Sequence, residues 1–292
     1  MKISIMNTQV KSLDIHCADG YKLSAKLYPS QVNSDKALPI LICPATGIVK
    51  EFYHSYAEWL SSLGYTAMSF DFRGIGASLH GPLQQSEASI VDWGQLDITA
   101  AIDCLLAQTQ ASQVILLGHS AGGQLLGISP NYSKVAKVIA VSGSTGHLHG
   151  LKGKTKFLAP IMFHLVFPIS TKLKGFGATK MMGMGENLPK KVAKQWAEFC
   201  GTQGYVMHAV KKEKLPNYHE QITCPITAIW SSDDEIATQT NVEALLKLYP
   251  NAQTSMIELK PKQFQHKSIG HMQMFRKSHR NLWEVIEHQL RT

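Results

Sequence analysis

No stretch of this sequence is long and apolar enough to span a bilayer. A spanning helix needs about 20 mainly apolar residues. The longest candidate, residues 157–169, is shorter than that and is broken by Pro160, His164 and Pro168. Residues 1–7, Met-Lys-Ile-Ser-Ile-Met-Asn, lack both an apolar h-region and a small-residue cleavage site, so they read as no secretory signal, and the expected location is cytoplasmic. The five cysteines, Cys17, Cys43, Cys104, Cys200 and Cys224, are odd in number and lack metal-ligand spacing. That pattern gives no sign of a disulfide framework or a zinc module, and reduced, buried thiols are the expected reading. There is no internal repeat and no low-complexity tract, which excludes solenoids and disordered arrays. Acidic residues are scarce in one region. Residues 145–215 hold twelve lysines against Glu186, Glu198 and Glu213, so the formal charge of +8 comes almost wholly from there and the rest is near neutral.

What is present is a chain of 292 residues, 44% hydrophobic, enough for one large domain or a domain with an insertion. Residues 9–29 alternate as two strands around Asp19-Gly20, a hairpin signal. Residues 37–43 form an apolar run entering the Pro44-Ala45-Thr46-Gly47 loop. Residues 52–63 have helical spacing and end at Gly64. A strand over 65–70 leads into the loop Asp71-Phe72-Arg73-Gly74-Ile75-Gly76-Ala77-Ser78. Residues 90–108 read as a long amphipathic helix, and 135–141 as a buried strand. The rhythm breaks over 145–215, which has helical apolar patches and no clear strand. It resumes with strands at 226–230 and 254–259 and helices at 240–248 and 281–290. Strands alternating with helices in this way imply an α/β fold with a mostly parallel sheet. The expected division is a core from 1–144 and 216–292, with a helical cap inserted at 145–215.

The most informative stretch is Val114-Ile115-Leu116-Leu117-Gly118-His119-Ser120-Ala121-Gly122-Gly123. Four consecutive apolar residues suit a strand buried on both faces. The run ends in Gly-x-Ser-x-Gly, a turn from strand to helix that holds the serine exposed at its tip. The Ala121 amide is then expected at a helix N-terminus, where negative charge is stabilised.

A serine hydroxyl needs a base, and the base an orienting group. The strand at 226–230 ends in Ser231-Ser232-Asp233-Asp234-Glu235. Asp234 is the expected acid, with Asp233 and Glu235 as neighbours able to take its place. The strand at 254–259 leads to Gly270-His271-Met272. His271 is the expected base and His266 its rival. A second oxyanion donor belongs in the loop after residue 43; the Thr46 amide is assigned there, with Ala45 as the neighbour one step away in register.

Together, Gly118-His119-Ser120-Ala121-Gly122, the Asp71–Ser78 loop, the acidic loop at Asp234 and Gly270-His271 resemble the α/β-hydrolase superfamily. Pro44-Ala45-Thr46-Gly47 and the run Ile269-Gly270-His271-Met272-Gln273-Met274-Phe275-Arg276 are similar to a subgroup of bacterial members called lysophospholipase-like or serine-aminopeptidase-like. Two departures are the absence of a His-Gly pair in the first loop and Ser231 where glycine is usual. The resemblance implies an α/β-hydrolase fold with an inserted cap and a Ser120–His271–Asp234 triad, and no cofactor or metal. A serine nucleophile excludes the aspartate-based dehalogenases of the superfamily.

Three readings follow: a serine hydrolase of carboxylic esters, lipid or lysophospholipid-like; a serine aminopeptidase or amidase; and a non-catalytic binding protein on a hydrolase scaffold. A small-molecule ester or lipid is the expected partner, with no nucleic acid. An aminopeptidase needs cap carboxylates to hold an ammonium, and only three glutamates are available, which favours an ester. The apolar run Leu158-Ala159-Pro160-Ile161-Met162-Phe163-His164-Leu165-Val166-Phe167-Pro168 would line an acyl cavity or rest on a membrane, and the lysines would attract anionic substrates or headgroups. Met181, Met182 and Met184 suit either a pliable pocket or cap core. Arg73 is expected as a structural ion pair rather than a substrate contact. His119 is expected to pack beside the nucleophile. His147 and His149 are expected in a glycine-rich loop rather than on a metal.

Overall fold

Alternation of apolar and mixed residues sets the strands, and glycine and proline clusters punctuate them. A computed structural model describes residues 9–32 and 38–291. Residues 1–7, read above for a signal, and residue 37, which opens an expected strand, lie outside the described residues. The strands are β1 Lys11–His16, β2 Lys22–Tyr28, β3 Ile40–Cys43, β4 Ala67–Phe70, β5 Val114–His119, β6 Val135–Val141, β7 Phe176–Gly177, β8 Leu188–Pro189, β9 Ile226–Ser231 and β10 Thr254–Leu259. Eight of them form one sheet in the order β1-β2-β4-β3-β5-β6-β9-β10. β1 and β2 pair antiparallel as a hairpin, β2 pairs antiparallel with β4, and the remaining pairs are parallel. The fold is that of an α/β hydrolase, a large and mostly parallel sheet flanked by helices.

The strand order reverses at β3. The chain leaves β3 for β4 on one side and returns to β5 on the other. In open α/β sheets the crevice at such a switch, beyond the carboxyl ends of the strands, is where ligands bind. Both β3 and β5 are buried along their whole length. Alternate side chains serve two cores. Leu41, Cys43, Met68, Phe70 and Leu116 face one layer, and Ile40, Ile42, Ala67, Ile115, Leu117 and Ile139 the other. The first layer takes in helices Thr99–Thr109 and Gln239–Leu246, through residues such as Ile102 and Val242. The second is closed by helices His54–Ser62 and Trp283–Arg291, and Tyr56 and Trp283 pack into it.

The long helix expected over 90–108 forms in three consecutive pieces, Ile90–Asp92, a π-helical segment Trp93–Ile98, and Thr99–Thr109. Its start is fixed by a capping box. Ser89 Oγ accepts from the Asp92 amide at 3.1 Å, and Asp92 Oδ2 accepts from the Ser89 amide at 3.0 Å. The π segment falls where Gly94 lies against Ile128, 2.5 Å from where a Cβ would sit.

Two expectations need correction. After β5 there is no long helix; the chain makes short 3₁₀ turns, Ser120–Gly123 and Leu126–Ile128. Gly122, Gly123, Gly127 and Pro130 are poor helix formers. Gly127 is also pressed under the His219 ring, where a Cβ would meet Nε2 at 2.1 Å. The helix-dipole argument for Ala121 therefore lapses, and only its local amide remains. Second, the region read as strandless holds the small antiparallel pair β7–β8. Between β6 and β9 the chain otherwise runs through helical segments Thr155–Ile161, Met162–Val166, Phe167–Lys174, Lys190–Gly201 and Met207–Glu213. Among the described residues, no helix is long and apolar enough to cross a membrane.

Candidate active site

β5 delivers Ser120 to the carboxyl edge of the sheet with φ of 48°, a left-handed backbone that a non-glycine residue adopts only under constraint. The neighbouring glycines permit the turn. A Cβ on Gly118 would lie 2.3 Å from the Gly123 amide nitrogen, and one on Gly122 would lie 2.2 Å from the Cys43 carbonyl oxygen. The turn is thus wedged between its own strand and the end of β3.

Ser120 Oγ lies 2.9 Å from His271 Nε2. His271 Nδ1 lies 2.8 Å from Asp234 Oδ2 and 3.1 Å from Oδ1. Asp234 is buried, and Oδ1 also accepts from the Ile236 and Ala237 amides at 2.8 and 2.9 Å. Burial alone would raise its pKa. The neighbouring His271 and the two amides outweigh that and hold the carboxyl below its ordinary value, so it stays ionised. The arrangement can pass a proton from the serine to an imidazole held in one tautomer by a fixed carboxylate.

The three consecutive acids of this loop do three different things. Asp234 orients His271. Asp233 holds the backbone that carries it: its carboxylate accepts from the Ile269 and Gly270 amides at 3.0 and 2.9 Å and from Ser268 Oγ at 2.6 Å. Burial would raise the Asp233 pKa, but these bonds and that from Ser231 keep it below the ordinary value. Glu235 accepts from the Thr155 amide and hydroxyl at 2.8 and 2.7 Å, tying down the start of helix Thr155–Ile161.

A second network links the loop after β3 to the base. The Ala45 amide donates to Tyr53 Oη at 2.9 Å, and Tyr53 Oη lies 2.8 Å from His119 Nδ1. His119 Nε2 lies 3.0 Å from the His271 carbonyl oxygen. A carbonyl can only accept, so His119 carries its proton on Nε2, and Tyr53 donates to Nδ1. Burial pushes the His119 pKa down to about 3, so the ring is neutral. Since the Ala45 amide is already engaged, Thr46 is the amide of this pair with no hydrogen-bond partner among the described residues. His119 thus does more than pack; it fills a variable position of the Gly-x-Ser-x-Gly motif, and neither that position nor any pattern around Tyr53 marked this role.

Ser120 and His271 open on a cavity of about 170 Å³ whose lining includes Thr46, Gln124, Met184, Trp196 and Cys200. None of its lining residues is acidic or basic apart from His271. Burial pushes the Cys200 thiol up to about 12, which leaves it protonated and no rival to Ser120. Gln124 Nε2 donates to the Ser144 carbonyl, while its Oε1 is buried without a partner among the described residues.

A model of the alpha/beta hydrolase family matches residues 40–267. The chain belongs to this family. Among solved structures, a soluble variant of monoglyceride lipase from Saccharomyces cerevisiae, in complex with a substrate analog, is similar at a TM-score of 0.66 and 14% identity, covering 97% of this chain and 96% of that one. A Pyrococcus furiosus esterase matches at a TM-score of 0.62 and 14% identity, covering 98% and 91%. The esterase domain of a Rhodothermus marinus protein matches at 0.56 and 17%, covering 97% of each. At these identities the likeness is one of fold. No curated protein matches this sequence.

Within this α/β hydrolase, the other candidates fall away from the cavity. His266 Nε2 bonds Asn281 Oδ1 at 2.8 Å, and its ring stacks on His279. Arg73 is buried, with Nε 2.6 Å from Asp97 Oδ1 and Nη1 2.7 Å from Asp19 Oδ2, so its guanidinium is used inside the protein. The rings of His147 and His149 lie 5.0 Å apart, and among the described residues no group of three metal-ligating side chains occurs. Glu186 pairs with Lys180, and Glu198 lies near Lys194 and Lys212. Met184 lines the cavity, while Met181 is exposed.

Proposed function

We propose that this α/β hydrolase cleaves carboxylic esters through an acyl-enzyme on Ser120. The observation that carries the reading is the 2.9 Å contact between His271 Nε2 and Ser120 Oγ, at a turn that presents the serine to a cavity. Ser120 Oγ attacks the ester carbonyl carbon as its proton passes to His271 Nε2. Asp234 stabilises the imidazolium, and the Thr46 and Ala121 amides receive the developing oxyanion; one such donor typically contributes about 3–4 kcal/mol. Collapse of the tetrahedral species breaks the bond to the alcohol, which takes the proton from His271. Water, deprotonated by His271, then attacks the acyl-enzyme and releases the acid, restoring Ser120.

An uncharged cavity suits an ester better than an aminopeptidase substrate, whose ammonium would need a carboxylate. It also argues that any anionic part of a substrate is met outside the cavity. The residues from 145 to 215 act as a cap, a reading supported by Met184, Trp196, Cys200 and Tyr205, which line the cavity that also holds Ser120. Five free cysteines fit a reducing compartment, the cytoplasm. Comparing p-nitrophenyl esters with aminoacyl-anilides on one preparation tests the reading: esters are expected to be cleaved and anilides not, and the reverse preference would overturn it.

A further inference from the structure

We propose that the outer face of residues 155–174 docks on the surface of an anionic lipid membrane. The link to catalysis, an acyl chain entering the cavity beneath, rests on the ester-hydrolase reading; the docking itself does not.

Ten large apolar side chains stand out as exposed among the described residues, and eight of them lie between 157 and 182. Scattered exposed apolar residues need no explanation, but a contiguous patch does. Phe157, Leu158, Ile161, Leu165, Ile169 and Leu173 recur at helical spacing along one face, with Phe157 71% and Leu173 76% exposed. The opposite face, with Ala159, Met162, Phe163 and Phe167, is buried. A helix apolar on both faces is ordinarily enclosed. This one lies at the surface.

Charge selects the occupant. Lys152, Lys154 and Lys156 stand at the start of this face and Lys172 and Lys174 at its end, and among the described residues none of them forms an ion pair with a carboxylate. Lys154 is near enough to Glu235 to help lower its pKa, behind the two hydrogen bonds from Thr155. From residue 104 to residue 185 the sequence contains no Asp or Glu. An apolar face bordered by lysines in such excess matches a surface that offers hydrocarbon under anionic headgroups. The face is also continuous with the interior. A cavity of about 310 Å³ is lined by Leu158 and Ile161 from the exposed face and by Met162 and Phe163 beneath it. It shares Gly146, Met184, Trp196, Cys200 and Ile236 with the cavity that holds Ser120. The two cavities are thus neighbours across shared walls, which sets the docked face beside the site that an acyl chain would have to reach.

The test is sedimentation of the full chain with phosphatidylcholine vesicles, with and without phosphatidylglycerol, at low and high salt. Binding is expected only with phosphatidylglycerol, falling about ten-fold as salt screens the lysines. Leu165→Glu with Leu173→Glu, and separately Lys152→Gln with Lys154→Gln and Lys156→Gln, are each expected to lower binding at low salt by about ten-fold. Neither set lines the Ser120 cavity, so p-nitrophenyl butyrate hydrolysis should be unchanged, and an unchanged thermal melt shows independently that the variants fold. No binding to phosphatidylglycerol vesicles, or equal binding by the glutamate variant, would overturn the proposal. So would a sedimentation coefficient showing that the face joins two copies of the chain while vesicles are ignored. Vesicle binding without any ester hydrolysis would keep the docking and reject the hydrolase reading.

Discussion

Around Ser120, most polar side chains are tied down by hydrogen bonds inside the protein: Asp234 on His271, Asp233 on the loop that carries it, Tyr53 on His119, with Gln124 Oε1 on the cavity wall the exception among the described residues of that wall. Along 155–174 the reverse holds. Apolar side chains face outward, and the lysines beside them lack carboxylate partners within ion-pair distance among the described residues. The first region is built to hold a few atoms within tenths of an ångström. The second offers area and charge to something outside the molecule. Positioning for chemistry needs satisfied, buried polar groups, whereas recognition of a broad surface leaves groups unsatisfied until the partner arrives.

This contrast predicts graded effects. Asp234→Asn should lower kcat for ester hydrolysis by about 10⁴-fold, because the amide favours the wrong His271 tautomer; steady-state kinetics checks it, and a loss under about ten-fold would break the contrast. Gly122→Ala should destabilise the fold by about 3 kcal/mol, since the new Cβ would meet the Cys43 carbonyl at 2.2 Å, read as a fall in Tm.

Asp233→Asn acts on the loop rather than the reacting atoms. The folded-state pKa of Asp233 is depressed, so its stabilising contribution is present above the ordinary carboxylate range and is lost as pH falls through the folded value. The variant should be less stable at neutral pH by about 1 kcal/mol, allowing for solvent screening of a part-exposed group. The difference should vanish in acid. Denaturant titration against pH checks both sign and size. The smallest effect is expected on the cap: Leu165→Glu with Leu173→Glu should change stability by no more than about 0.5 kcal/mol per site, since both are exposed, and the same titration reads it.

Much of the sheet was legible because buried parallel strands are continuous apolar runs. β6 is largely such a run and has the expected bounds, 135–141; β10 also has its expected bounds, 254–259, although it is an edge strand exposed along much of its length. The turn at Ser120 was legible for the same reason, from an apolar run ending in Gly-x-Ser-x-Gly. The helix expected after it was not there, because three glycines and a proline outweigh the motif's usual continuation. Asp234, the expected acid, is the one that meets His271, but the separate partners of Asp233 and Glu235 were not legible, because they depend on how a tight loop after β9 aims three successive side chains. Tyr53 was invisible for a related reason, since its bond to His119 spans 66 positions and follows no local pattern. The exposed face of 155–174 was readable as apolar but not as exposed, because periodicity alone does not say which of two apolar faces turns inward.

The most direct test of the central claim is covalent labelling of the intact protein with a fluorophosphonate, followed by peptide mapping by mass spectrometry. The account predicts one adduct, on Ser120, lost in Ser120→Ala and strongly slowed in His271→Ala. Absence of labelling, or an adduct on a different residue, would contradict it.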